Sequence, residues 1–467
     1  MTSIDLNLPF ELEAVSTPSR SEIKADRTLF PRSQGRGKPS KHSEKKEVKA
    51  TLTMASFFAG IGGFDLGFQQ MGFLPVFHCE KDPFCLSILS KHWSSVPTAS
   101  DISEVMCGSV PDCAVWTGGF PCQDVSVARG WLGRDGLNGS RTGLFFSFLK
   151  LIQERRPKVV LLENVTGLLN SHDGKDFQTV ISSLSAEGYG VSWRILNSRY
   201  FGSPQSRSRV FICAWLGEPK SAVNALYEEA PAFFVGNERQ GFLTASRAAR
   251  TSAVVPQVAY CLAATSGRHT GTDWSRSYVS YHDQVRRLTP LECESLQGFP
   301  KNWTALPLCP KWSEDDLDSK RYHALGNAVC VPVIKWIASR IKAGLQNPPK
   351  DCTKFTAKNT AACLTALFPR LVGEIPVLGD LSSDAERSAW RSGGVAYDGK
   401  FLTVKVSCSP CQPIASQFGD IIEKEMPANR YFLSPNAATG ILRRVTSQKR
   451  SLFQPLHEAL SRLSRKQ

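Results

Sequence analysis

The sequence predicts an α/β fold: a mostly parallel sheet with helices on both faces, joined to a smaller, loop-rich domain. Three observations carry this reading. From Thr51, short apolar runs (TLTMASFF, LPVFHCE, DCAVWTGG, KVVLLEN, SWRILN, RVFICAWL) alternate with stretches of helical period such as GLFFSFLKLIQERR and DFQTVISSLSAEGYG. The first run opens directly into a glycine-rich turn, GIGGFDLGF, as a strand-to-helix junction does. After Leu216 the alternation fades, and residues 217–285 read as loops with a few short strands. In an open sheet of this kind, reactive groups belong at the carboxyl ends of the strands.

Bulk properties set the frame for those elements. A chain of 467 residues, 42% hydrophobic, is long enough to bury a large core and to form two or three structural units. No apolar run of membrane-spanning length occurs, and MTSIDLNLPFELEA lacks a basic segment followed by an apolar one, so a soluble, cytoplasmic protein is expected. Fourteen cysteines spread over this length read as mostly reduced thiols. The formal charge of +14 favours a polyanionic partner. The first fifty residues, rich in Ser, Pro and charge, read as a disordered basic leader.

The first strand ends at a turn whose Gly60, Gly62 and Gly63 permit close backbone approach to a ligand. The second ends in Glu80, about twenty residues on, where an acid suits ribose hydroxyls. Asp101 and Ile102, in TASDIS, form a third position, with a carboxylate able to accept from an adenine amino group. Singly, each acid reads as a surface residue or a helix cap. As an ordered set they fit a nucleoside cofactor, without the features of a phosphate loop.

The fourth strand delivers GGFPCQ, in which Pro121 fixes the backbone before Cys122. The polar, glycine-rich run from Gln123 to Thr142 reads as a lid. Glu163-Asn164-Val165 ends the next strand, and Gln205-Ser-Arg207-Ser-Arg209 opens the one after. A thiol, a carboxyl and two guanidiniums at successive strand ends can converge on one pocket. Further on, LTPLECESLQGF reads as a helix ending near Pro300, RYHALGNAVCVPVIKWIASRI as a loop entering a helix, and the last segment as helical with a break near Pro455.

In their order, FFAGIGGFDLGF, GFPCQDVSVA, ENVTGLL, PQSRSRVF, RRLTPLECESLQGFP and GNAVCVPV resemble the motifs of the cytosine-C5 DNA methyltransferases of bacterial or phage type. The resemblance spans about residues 52–342, and the tail, with RYFLSPNAATGILRR, is similar to the C-terminal extension of phage and prophage members. It implies a class I, Rossmann-like, S-adenosylmethionine-dependent methyltransferase. The catalytic and cofactor-binding domain is then 51–216, completed by 321–342, with 217–320 for target recognition and 343–467 as an extension.

By that resemblance Cys122, presented by Pro121, attacks C6 of a flipped-out cytosine, Glu163 bonds N3 and the exocyclic amine, Arg207 contacts the ring carbonyl oxygen and Arg209 orients the cluster. Phe58, Gly60 and Gly62 surround the methionine part of S-adenosylmethionine, Glu80 takes the ribose, Asp101 and Ile102 the adenine, and Asn327 and Val329 complete the pocket. Lys81 departs from the apolar residue usual beside the ribose acid. The implied partner is double-stranded DNA, met by a monomeric, nucleoid-associated enzyme with or without a cognate restriction endonuclease, and not a membrane.

Three other readings compete. A silent nucleic-acid-binding module is expected to lack Cys122 or Glu163; both are present. An RNA cytosine methyltransferase of the branch sharing these motifs carries a Cys-Phe-Thr signature absent here. A nicotinamide oxidoreductase leaves the thiol and QSRSR unexplained. Cys408-Ser-Pro-Cys411 has zinc-knuckle spacing but no matching second pair, so no metal is expected.

Overall fold

The computed structural model describes residues 51–121, 143–228, 240–248, 252–266, 275–308, 312–348, 360–367, 376–382 and 390–466. The leader, Cys122, the run Gln123 to Thr142 and Cys352 lie outside the described residues.

The six apolar runs form β1 (Thr53–Phe57), β2 (Leu74–Cys79), β4 (Val115–Gly118), β5 (Val159–Val165), β6 (Tyr189–Asn197) and β8 (Ser208–Leu216), and two-residue strands β3 (Thr98–Ala99) and β7 (Gln205–Ser206) lie between them. Between them run helices α1 (Gly63–Gln69), α2 (Pro83–His92), α3 (Leu144–Arg155) and α4 (Lys175–Ala186), with α5 (Pro219–Leu226) following. In the main sheet the order is β3-β2-β1-β4-β5-β8-β6. Pairing is parallel from β3 to β5 and antiparallel on both sides of β8. The central β5 is buried along its first six residues, which explains its near-continuous apolar run. Helix α3 turns Phe145, Phe148, Leu149 and Ile152 onto the sheet, where the Phe148 ring meets Phe57 at 4.7 Å.

The loop-rich region contains short strands, as expected: β9 (Ala245–Arg247), β10 (Val254–Pro256), β11 (Ala259–Tyr260), β12 (Tyr278–Ser280) and β13 (Val285–Arg287). Four of them form an antiparallel sheet in the order β13-β12-β10-β9. The fifth, β11, pairs with β7 and so ties this region to the Gln205–Arg209 segment.

Helix α6 (Pro290–Gln297) starts with a capping box between Thr289 and Glu292 and stops at Gly298, whose φ is 79°. One expectation fails here. RYHALGN is not a loop but the second half of helix α7 (Glu314–Asn327), capped by Ser313 and Asp316, and α8 (Val331–Gln346) follows after three residues. Its inward face carries Asp318 and Arg321 among Leu317, Tyr322 and Leu325, so the hydrophobic period is broken by polar residues. Those two find partners: Arg321 donates to Glu294 at 3.0 Å, and the Tyr431 hydroxyl to Asp318 at 2.6 Å. The Glu314–Gln346 stretch is apolar enough over part of its length to cross a membrane, yet that part is 67% buried inside the protein.

Residues beyond α8 join both sheets. After α9 (Thr360–Ala366), strands β14 (Val377–Asp380), β15 (Gly393–Tyr397) and β16 (Lys400–Val404) extend the main sheet to ten strands, with β15 antiparallel to β6. The final helices, α10 (Pro435–Ser447) and α11 (Gln454–Leu463), pack on β10, β12 and β13. The break between them covers 448–453, with Pro455 inside the first turn of α11, where its missing N–H costs nothing.

Candidate active site

Parallel register sets three strand ends side by side. Phe57 pairs with Gly118, and Gly118 with Leu162. The residues that follow, Phe58, Gly119 and Glu163, therefore share one edge of the sheet.

The glycine turn is the first component. Phe58 has a φ of 54°, a strained value for an aromatic residue, and Gly60 and Gly62 follow at 56° and 80°. A Cβ on Gly60 would meet nothing within 4 Å, whereas one on Gly62 would strike Trp93. Gly60 thus borders open space while Gly62 is packed. Trp303 Nε1 donates to the Ile61 carbonyl at 2.8 Å, and beneath the turn Asp65 accepts from the Ser56 hydroxyl at 2.9 Å and lies 3.1 Å from His78 Nε2.

Glu80 is bound into this turn. Its Oε2 accepts from the Gly60 N–H at 2.7 Å, and its Oε1 from the N–H groups of Lys81 and Asp82, both at 2.8 Å. Asp101 accepts from Lys81 Nζ at 2.8 Å and from Ser103 through both hydroxyl and N–H. The Lys81 hydrogen bond first, then those from Ser103, hold the Asp101 carboxyl well below the usual range. Lys81 extends from the surface, its side chain 79% exposed, rather than lying flat as an apolar cover. Ile102 is buried behind it. The chain returns at α7: Val329 packs on Gly63, and Asn327 is exposed at the helix end. Glu80 is thus bonded to the turn at Gly60, Asp101 is linked to Glu80's neighbour Lys81, and Val329 packs on the turn at Gly63. Open space at Gly60 and acids at both later positions fit a nucleoside with a small polar appendage.

The second component surrounds Glu163. Phe120 is buried and Pro121 exposed at the end of the β4 segment, where Asn164 Nδ2 donates to the Phe120 carbonyl at 2.9 Å. Asn164 thereby joins this segment to β5. The Glu163 side chain is only 10% exposed, and Arg209 Nε lies 3.1 Å from its Oε1. That approach is ionic and does not meet hydrogen-bond geometry; Oε1 has no donor among the described residues.

The two arginines divide their work differently from expectation. Arg207 is buried and spends its guanidinium on backbone: Leu262 O at 2.9 Å, Ala328 O at 2.7 Å and Gly326 O at 3.2 Å. Burial, then the neighbouring Arg209, lowers its pKa. Arg209, not Arg207, faces the free oxygen of Glu163. Between them lies Cys261, whose sulfur accepts from Arg207 at 3.5 Å and from Arg209 at 3.9 Å. A cavity of about 310 Å³ opens beside it, lined by Tyr260, Cys261, Leu262, Arg276 and Tyr278 among others.

Sequence reasoning missed Cys261, for which no local signal exists, and the anchoring parts of Asn164 and Gln205. Gln205 donates to Leu296 O at 2.7 Å and Gln297 at 2.9 Å, fixing the arginine segment to α6. Both lie inside recognisable motifs, so their buried amides were the available clue. Cys408 and Cys411 are partly buried in the tail, and no group of three metal-ligating side chains occurs among the described residues.

A buried carboxyl with one oxygen lacking a donor, a guanidinium beside it and a glycine turn bordered by open space thus lie at the carboxyl ends of adjacent strands of an α/β sheet. The chain belongs to the C-5 cytosine-specific DNA methylase family, whose model matches residues 52–240 and 238–343. It is 32% identical over 314 residues to the Type II methyltransferase M2.BsuMI of Bacillus subtilis, covering 62% of this chain and 75% of that protein. With the Type II methyltransferase M.Bsp6I of a Bacillus species it shares 30% identity over 324 residues, 62% of this chain and 98% of the relative.

Proposed function

We propose that the protein is a DNA (cytosine-5-)-methyltransferase of restriction-modification or phage type. It acts on a cytosine flipped out of a specific duplex sequence, with S-adenosylmethionine as methyl donor. The observation that carries this reading is the Glu163–Arg209 pair, set on the same sheet edge as the Gly60 turn and the Pro121 strand end.

Carbon 5 of cytosine is too weak a nucleophile to be methylated directly. Attack by the Cys122 thiolate forms a sulfur–C6 bond, the C5–C6 π pair shifts to C4–C5, and the C4–N3 π pair moves onto N3, leaving C5 enamine-like. Glu163 hydrogen-bonds N3 and the exocyclic amine through its carboxyl and steadies the charge that develops there. Arg209 holds the ring carbonyl oxygen, while Arg207 keeps the two returning backbone segments in place. S-adenosylmethionine supplies the electrophilic methyl group when bound, with Phe58, Gly60 and Gly62 at its methionine end, Glu80 at the ribose, Asp101 and Ile102 at the adenine, and Asn327 and Val329 closing the pocket. Transfer of the C5 proton to water then lets the C5–H pair re-form the C5–C6 double bond and expels the thiolate from C6. Residues 217–320 supply target recognition, and the protein acts as a monomer on duplex DNA in the nucleoid.

Bisulfite sequencing of DNA from a host expressing the protein tests this. A discrete methylated motif that vanishes with Cys122→Ser is expected; unmodified DNA beside labelled RNA overturns it.

A further inference from the structure

The chain from 435 to 467 contains seven Lys and Arg residues and one acid, Glu458. A net +6 in thirty-three residues is a large part of the +14 carried by all 467. Residues 435–463 contain the hairpin of α10 and α11, beyond residue 343, where the family match ends.

Their placement gives the charge a direction. Leu433 N donates to the Val285 carbonyl at 2.8 Å, and Phe432 bridges Arg286, so the chain enters the hairpin along the free edge of β13. Ile441, Val445, Leu456 and Leu460 then pack with Tyr278 and Val285 of the recognition sheet. The inner face is apolar and already covered. Outward, Arg443, Lys449, Arg450, Arg462, Arg465 and Lys466 are all exposed. Arg462 donates to His282 O, and Lys466 pairs with Asp283, which tie the end of α11 to the β12–β13 turn. Basic residues in the last turn of a helix complement its dipole. That accounts for Arg444 but not for Lys449 and Arg450 beyond the helix end.

We propose that this hairpin is a second contact with the phosphate backbone of duplex DNA, carried on the recognition sheet and adding affinity without reading sequence. The proposal rests on the DNA reading above. Cations this dense repel one another, and duplex DNA, with a charge about every 1.7 Å of axis, is the complementary surface that releases counterions when they bind.

The test uses the full chain and a fluorescent duplex lacking the methylated motif, titrated from 50 to 200 mM salt. Arg443→Gln, Lys449→Gln and Arg450→Gln together should weaken binding roughly tenfold and reduce the slope of log affinity against log salt by about 2 to 3. The charge-preserving set Arg443→Lys, Lys449→Arg and Arg450→Lys should bind as the wild type does. Equal affinity and slope in the neutralised variant overturn the proposal, as does equal loss in the charge-preserving set or stronger competition by single-stranded RNA than by duplex. Wild-type protein that binds no duplex at all instead sinks the DNA reading.

Discussion

Arg209 Nε stands 3.1 Å from Glu163 Oε1 without hydrogen-bonding it, so a charge contact coexists with an unsatisfied acceptor. Such a buried oxygen is costly in a folded protein, and the Arg209 charge beside it offsets part of that cost. Glu163→Gln preserves shape and removes the charge. It should lower the rate of methyl incorporation by about 10²–10³ while leaving the thermal midpoint close to wild type.

Arg207 should behave in the opposite way. Removing its guanidinium strips the carbonyls of Leu262 and Gly326 of a nitrogen donor and leaves Ala328 O to Gln297 Nε2 alone, all inside the protein. Each buried acceptor left bare costs about 1–3 kcal/mol, so Arg207→Met should lose about 3 kcal/mol or more in urea unfolding. Arg209→Lys, at a partly exposed site, should instead lose activity with little change in stability. If Arg209→Lys unfolds and Arg207→Met does not, the assignment of the two is reversed.

Much of this site was legible because its chemistry sits at the ends of buried strands. Runs such as VVLLENV read as strands since both faces are covered, and the acids that end β2 and β5 interrupt them visibly. The division between Arg207 and Arg209 was not legible. Residues two apart on a strand face the same way, but Arg207 falls in the break between β7 and β8, where that rule lapses. Helix α7 was hidden because its buried face is partly ionic, and a polar residue at a core position looks like a surface one until its partner is known. Strand β15 pairs with β6 two hundred residues upstream, a register that no local pattern encodes.

Lys81 and Asp101 form a pair with a pH signature. Hydrogen bonds from Lys81 and Ser103 depress the folded-state pKa of Asp101. Their contribution to stability is present above the unfolded value, about 3.9, and is lost as pH falls through the lower folded value. Lys81→Met should flatten the loss of thermal stability below about pH 4. The same substitution frees Asp101 for an adenine amino group, so calorimetry should show methyl donor binding a few-fold tighter and less sensitive to salt.

Buried thiols give an alkaline counterpart. Burial, with Glu80 and Asp101 nearby, pushes Cys79 up to about 12, and burial does the same to Cys113, while Cys330 rises to about 11. A raised pKa means stability that is whole below the unfolded value of about 8.5 and declines as pH climbs toward the folded values. Unfolding midpoints should fall steadily above about pH 9. Brief alkylation at pH 8 followed by mass spectrometry should leave the buried Cys79 and Cys330 thiols unmodified in the folded protein.

The family match ends at 343, yet the fold does not. Gly393–Ala396 pair with Val191–Arg194, and Trp390 packs on Phe177 and Trp193 with ring centres 5.0 and 5.5 Å apart. Arg194, with no exposed surface, donates to Ser407 O, Ser409 O and Leu226 O and lies 3.8 Å from Glu228. A chain stopped at residue 348 would leave the long edge of β6 unpaired and strip Arg194 of two of those carbonyl partners. Open edges template aggregation, and a buried guanidinium without acceptors is among the costlier defects a core can hold. The shortened chain should therefore be recovered mostly insoluble, and its soluble fraction should lack the near-ultraviolet circular dichroism of packed tryptophans. Soluble, active protein from that truncation would mean that the three added strands are an ornament on a sheet complete without them.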